Sequence, residues 1–367
     1  MNRARAYWLL CGATLFEFIA LGIFLAGLPL YLTRELHSSR AVVGLTVGAF
    51  SVSALALRPV VGRWADRRGR KPFLVAAPII IAISAVGLSV AHALPSIVAL
   101  RVLQGVAGAA FYTSAATVAT DLAPAGRRAE YISRFSLFLY GGFAIGPTVA
   151  EWAVKRVGFD HTWLLAGASA LVALVLSARL PETRPSVSPE AQRGRLRLVH
   201  PAAVGPGLVL MTAAVGYVTI STFSPLYARH IGMASSGPLY LAFSMTVIGV
   251  RLVSGRIADR LGPLAAAVPG ILAAVVGLSL LALTPGEGFA LVGVMTFGAG
   301  FALLFPALMT LAVDRVGESE RGEALGSTVA FFDVGSLFGG YLVGAVADHF
   351  GFGAAFLTPA ALALCGG

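Results

Sequence analysis

Apolar residues recur along the chain in runs of about 20, the length that carries a helix across a ~30 Å hydrocarbon layer. Twelve such spans are expected, at about 6–33, 41–62, 73–93, 96–119, 129–152, 161–178, 204–228, 237–256, 264–284, 288–312, 323–347 and 353–365. Breakers fall where turns are needed, at Pro95, Pro124, Pro181 and the pair Pro201 and Pro206. The longest polar stretch, RLPETRPSVSPEAQRGRLRLVH from Arg179 to His200, lies between spans six and seven. It predicts a linker between two halves. The organisation expected is an all-α polytopic membrane protein of 12 transmembrane helices: a six-helix bundle over 1–180, a cytoplasmic linker over 181–202 and a second six-helix bundle over 203–367. The first run is too long for a signal peptide and ends without a small-residue cleavage site, so it is expected to stay in the mature chain.

Composition agrees with the pattern. Of 367 residues, 57% are hydrophobic and 12% charged, where a soluble domain carries about 25% charged residues. The net charge of +10 is explained by sidedness rather than by nucleic acid. With a cytoplasmic N-terminus, the inner segments hold eighteen Arg and Lys, and the outer ones hold Arg34, Arg40, Lys155, Arg156 and Arg229. That bias predicts both termini inside a cell (inner/plasma) membrane. Cys11 and Cys365 lie at opposite ends of the chain, and the six histidines fall in loops or at span ends. Neither a disulfide nor a metal site is indicated. No nucleophile motif, phosphate-binding loop or nucleotide domain appears, so no enzyme and no cofactor are expected.

The second half repeats the first. GRWADRRGRKP, Gly62 to Pro72, has a fainter copy in GRIADRLGP, Gly255 to Pro263, at an offset of 193. The same offset takes Arg58 to Arg251, Asp66 to Asp259, Asp121 to Asp314, Arg128 to Arg321, Glu130 to Glu323, Gly142 to Gly335 and Gly146 to Gly339. A duplicated six-helix unit follows, the plan of transporters built from repeated halves.

These motifs resemble those of the major facilitator superfamily of secondary transporters, and the likeness covers essentially the whole chain. Gly62, Asp66, Gly69, Arg70 and Lys71 stand where that family's signature between helices two and three has them. RVLQGVAGA, Arg101 to Ala109, is similar to its helix-four motif, and LPETR, Leu180 to Arg184, to a common ending of helix six. GFAIGP, with Gly142, Gly146 and Pro147, resembles the helix-five motif of the drug-proton antiporter branch; that pattern ends in paired glycines, where Ala150 and Glu151 stand here. The resemblance implies a cavity between two bundles and ionic latches that close the inner side when the cavity faces outward.

Read without the family, the loop residues have physical roles of their own. Gly62, Gly69 and Gly255 permit close approach at tight turns. Asp66 and Asp259 suit a helix N-terminus or an arginine. The pairs Asp121 and Arg128, and Asp314 and Arg321, flank the inner ends of spans, as do Glu130 and Glu323. Together these residues form a cytoplasmic gate or serve as solvated charges that fix topology.

Charges inside a bilayer cost on the order of 3 kcal/mol or more, so they usually serve a function. Glu17 lies midway along span one, Asp333 midway along span eleven, and Arg101 in span four with Gln104 on its face. Glu17, Asp333 and Arg101 are the candidates for proton coupling: burial strengthens a carboxyl's hold on its proton at Glu17 and Asp333, and Arg101 can hold a carboxylate ionised or contact substrate. The alternative is a buried pair that only locks helices. Gln104, Tyr112, Phe138, Tyr140 and Tyr217 are candidates for lining a substrate cavity, against ordinary packing. The leading expectation is a proton-coupled exporter of lipophilic or amphipathic small molecules, its partners being substrate, protons and the lipid bilayer. One chain suffices for a pathway, so a monomer is expected to function. An uptake symporter for a sugar or organic acid, and a non-transporting membrane sensor or lipid-handling protein, are the alternatives.

Overall fold

The computed structural model describes residues 2–124, 127–183, 199–283, 286–314, 316 and 321–366, and for some helical residues among them only the backbone. Among the described residues there are ten α-helices and no strand: α1 (Arg3–Arg34), α2 (Arg40–Arg68), α3 (Lys71–Val90), α4 (Leu94–Leu122), α5 (Arg128–Ala178), α6 (Val204–His230), α7 (Gly237–Leu261), α8 (Pro263–Ala282), α9 (Glu287–Val313) and α10 (Arg321–Gly366). Nine stretches of these are long and apolar enough to cross a membrane, and Gly237–Leu252 is a shorter apolar one. Twelve spans had been expected. The difference lies in α5 and α10, which each run through one non-helical residue, Gly158 and Gly351, both at φ 81 and ψ 178. These glycines are themselves 193 residues apart.

Local chemistry sets the helix ends. Pro72, Pro95 and Pro263 fall in the first turns of α3, α4 and α8, where the missing N–H has no helical partner to lose. Ala123 is extended before Pro124, as the ring of a following proline requires. Gly69 and Gly262, another pair at the offset of 193, have φ of +95 and +82 ahead of α3 and α8.

The chain forms two compact units. One comprises Met1–Phe24 and Val52–Leu196, the other Leu25–Ser51 and Arg197–Gly367. In the first unit, α1 lies so close to α5 that a Cβ on Gly142 would stand 2.6 Å from that of Phe18, and one on Gly146 2.8 Å from the Cα of Gly22. In the second unit α6 and α10 meet at the repeat equivalents. A Cβ on Gly335 would stand 2.4 Å from the Met211 carbonyl oxygen, and one on Gly339 3.0 Å from Val215. Small residues let helix backbones approach in lipid, where hydrophobicity alone gives helices no reason to associate.

Large apolar side chains face outward as well as inward. On α3, Leu74, Ala77, Ile81, Ala85 and Leu88 are buried, while Ile79, Ile83, Val86 and Val90 are exposed. A helix apolar on both faces is one that lipid covers on the outside.

Candidate functional site

Glu17 is fully buried on α1, and among the described residues neither carboxyl oxygen has a hydrogen-bond partner. By the 3.6-residue period its position on the helix is turned about 100° from Phe18 and about 140° from Gly22, the residues that meet α5. An ionised carboxylate without donors is far more costly in such surroundings than a protonated one. Asp333, on α10, is 3% exposed. One turn further on, the buried Ser336 hydroxyl has no hydrogen-bond partner among the described residues. Arg101, 5% exposed, donates from Nη1 to Gln104 Oε1 at 2.7 Å, one turn apart on α4. Among the described residues the buried Gln104 amide nitrogen has no hydrogen-bond partner, so Gln104 retains a donor.

The loop before α3 is held from three directions. Gly69 supplies the left-handed turn. The next residue, Arg70, is buried and paired through its guanidinium with Asp121 at the end of α4. The backbone N–H groups of Arg70 and Lys71 donate to Glu182 Oε1 at 2.7 and 3.4 Å. Glu182 thus caps α3, with its negative charge at the positive end of the helix. It had not been singled out as a site residue, and its place in LPETR, 112 positions along the chain from Arg70, gives no local sign of its partner. Glu130 accepts from Arg127 at 2.7 and 2.9 Å and pairs with Arg134 on its own helix. Asp314 is exposed at the end of α9. Side chains at Asp66, Arg128, Asp259, Arg321 and Glu323, and the surroundings of Gly62 and Gly255, lie outside the described residues.

The aromatic candidates divide by unit. In the first, Tyr112 lies under the Arg58 guanidinium at 5.9 Å, Phe138 meets Trp8 edge-on at 6.0 Å, and Tyr140 is buried. In the second, Tyr217 is stacked on Phe301 at 5.3 Å and 17°. A separate feature of the second unit was not anticipated. Asp348 on α10 accepts from the backbone N–H groups of Arg40 and Ala41 at 3.0 and 2.9 Å, capping α2. The Arg40 guanidinium lies 4.3 Å from the Phe352 ring centre. Alongside, Gly44 and Gly340 leave no room for a Cβ on either.

A duplicated helical body with lipid-facing apolar sides, carboxyls sunk in its spans and a capped loop between α2 and α3 defines a multi-pass membrane transporter. A profile described as the Major Facilitator Superfamily matches residues 10–339 and 298–367. The chain belongs to that family of secondary transporters. It is 29% identical over 362 residues to an uncharacterised MFS-type transporter of Salmonella typhimurium, covering 96% of this chain and 92% of the relative. It is 30% identical over 364 residues to one of Burkholderia mallei, with 95% and 87% covered. Among solved structures, the nucleoside transporter NupG superposes with a TM-score of 0.81 at 15% identity, covering 98% of each chain. The human organic anion transporter TETRAN gives 0.74 at 17% identity, covering 100% and 99%. At these identities the likeness is one of fold.

Proposed function

We propose that the chain is a proton-coupled exporter of lipophilic or amphipathic small molecules. It crosses the inner membrane twelve times with both termini in the cytoplasm, and acts as a monomer by alternating access. The observation that carries the coupling is Glu17, a carboxyl at full burial whose oxygens have no hydrogen-bond partner among the described residues. Such a group is stable when neutral and costly when charged, so proton binding and substrate binding compete for one site. Asp333 is the candidate carboxyl of the second half, and Arg101 with Gln104 supplies donors within the membrane.

In this cycle a proton from outside neutralises Glu17 or Asp333 as substrate leaves. The cytoplasmic gate, closed while the cavity faces outward, then opens, and it re-forms once per cycle around Gly62, Asp66, Gly69, Arg70, Asp121, Arg128 and Glu130, and around Gly255, Asp259, Asp314, Arg321 and Glu323. The Arg70–Asp121 pair and the Glu182 cap support the first of these two sets. The helix-five residues Gly142, Gly146 and Pro147 act as a packing seam along which α1 and α5 stay in register. Twelve crossings follow if α5 and α10 each turn back at Gly158 and Gly351.

The test is a panel of substrates in proteoliposomes under an imposed pH gradient, with an internal pH dye. Antiport predicts that substrate enters when the lumen is acid and that the lumen then loses protons. Entry driven by an acid exterior assigns a symporter instead, and entry indifferent to the gradient refutes proton coupling.

A further inference from the structure

The second unit contains an aromatic platform that ends in a cation. Tyr217 stacks on the buried Phe301. Phe332 stands 5.8 Å from Tyr217, 6.2 Å from Phe301 and 6.3 Å from Phe305, so one ring joins the other three. The Arg251 guanidinium lies 5.9 Å from the centre of Phe305. Phe301 is sealed, whereas Tyr217, Phe305 and Phe332 each keep part of their surface open. The open surface of Phe305 lies away from the exposed stripe of its helix. On α9 the exposed stripe is Phe289, Val292 and Met295, and Phe301 and Phe305 lie on the opposite side of the same helix by its 3.6-residue period.

The repeat separates what the fold needs from what this unit adds. Arg58 over Tyr112 in the first unit is the counterpart of Arg251 over Phe305, at the same 5.9 Å and the offset of 193. The arginine on a ring is therefore common to both halves. The platform is not: the positions matching Phe301 and Phe332 are Gly108 and Leu139.

We propose that the second unit binds an aromatic acid, with its planar ring on Tyr217, Phe305 and Phe332 and its anionic group at Arg251. This rests on the transporter reading above and narrows its substrate class. Offset stacking favours a flat ring over a saturated one. A guanidinium has five donors in a planar fork, so it takes a carboxylate alongside the contacts it already makes. Phe305 beneath Arg251 holds the cation in place from below.

The experiment is equilibrium binding to the full-length transporter in lipid nanodiscs, with no pH gradient. Three probes are used: 1-naphthoate, the uncharged 1-naphthamide and the ring-free cyclohexanecarboxylate. 1-Naphthoate should bind most tightly. Arg251→Gln should weaken it by about tenfold or more, the worth of a charge-assisted hydrogen bond, and leave 1-naphthamide within about twofold. Arg251→Lys should recover part of the loss, Phe332→Leu should weaken both naphthyl probes, and Arg58→Gln should change none. The three wild-type affinities need no variant to fold. Equal binding of the three probes, no binding of 1-naphthoate, or equal losses from Arg251→Gln and Arg58→Gln would each overturn the proposal. Because no gradient is involved, transport that ignores protons sinks the coupling alone. Proton-driven export of other compounds, with 1-naphthoate unbound, sinks this site alone.

Discussion

Replacing Gly69 by alanine is a stringent test of how the loop before α3 is held. The residue has φ +95, where a side chain costs about 1–3 kcal/mol in backbone strain. Space is a second obstacle. The new Cβ would fall 2.4 Å from Glu182 Cδ, well inside contact distance, so the carboxylate must withdraw. Withdrawal gives up the hydrogen bonds from Arg70 and Lys71, a cap worth about 1 kcal/mol. The expected loss is then about 2–4 kcal/mol. In a Glu182→Ala background the clash and the cap are both already gone, so the same substitution should cost only the strain. The assay is reversible unfolding in mixed detergent micelles of wild type, the two single variants and the double variant. Gly69→Asn should be milder than Gly69→Ala, because asparagine tolerates this conformation better. Equal costs in the two backgrounds would show that Glu182 and Gly69 do not share a site. A Gly69→Ala protein as stable as wild type would refute the whole argument.

Asp348→Ala should remove the acceptors that cap α2, at about 0.5–2 kcal/mol. Amide hydrogen exchange at residues 40–44 should quicken, and unchanged rates there would contradict the cap. Gly146→Ala should lower the thermal midpoint more than Gly339→Ala, because its Cβ would meet the Ile19 carbonyl oxygen at 2.5 Å while the equivalent on α10 meets Val215 at 3.0 Å. The reverse order would show that the two seams are not packed as described.

Much of the architecture was legible because duplication writes the same constraint twice. An offset found from Asp66, Arg58 and Gly142 also relates the left-handed turns at Gly69 and Gly262, inside the two copies of the loop motif, and the breaks at Gly158 and Gly351, which no motif announced. The breaks fall where the hydrophobic pattern faltered, between the spans expected to end at 152 and 347 and those expected to begin at 161 and 353. The helix-five glycines were readable as small residues. That Gly142 and Gly146 press on Phe18 and Gly22, and that Gly335 repeats the contact at Met211, depends on which helix comes alongside. Glu182 and Asp348 were not legible as caps for the same reason. A capping carboxylate normally sits next to the helix it caps, and these two reach α3 and α2 from 112 and 308 residues away. Asp121 was readable as a gate residue, yet its partner among the described groups is Arg70 rather than a residue of its own loop. Glu17 was found because a carboxylate within an apolar run is costly enough to need a reason.

The most direct test of the central claim compares two kinds of transport in one Glu17→Gln protein. Counterflow exchanges substrate for substrate and needs only a site that opens to each side in turn. Accumulation under an imposed pH gradient also needs the proton to be carried. If Glu17 is the coupling group, the glutamine variant, nearly the same in size but unable to change charge, will keep counterflow near the wild-type rate. It will lose gradient-driven accumulation and the accompanying proton movement. Accumulation and proton flux at wild-type levels in that variant would contradict the account.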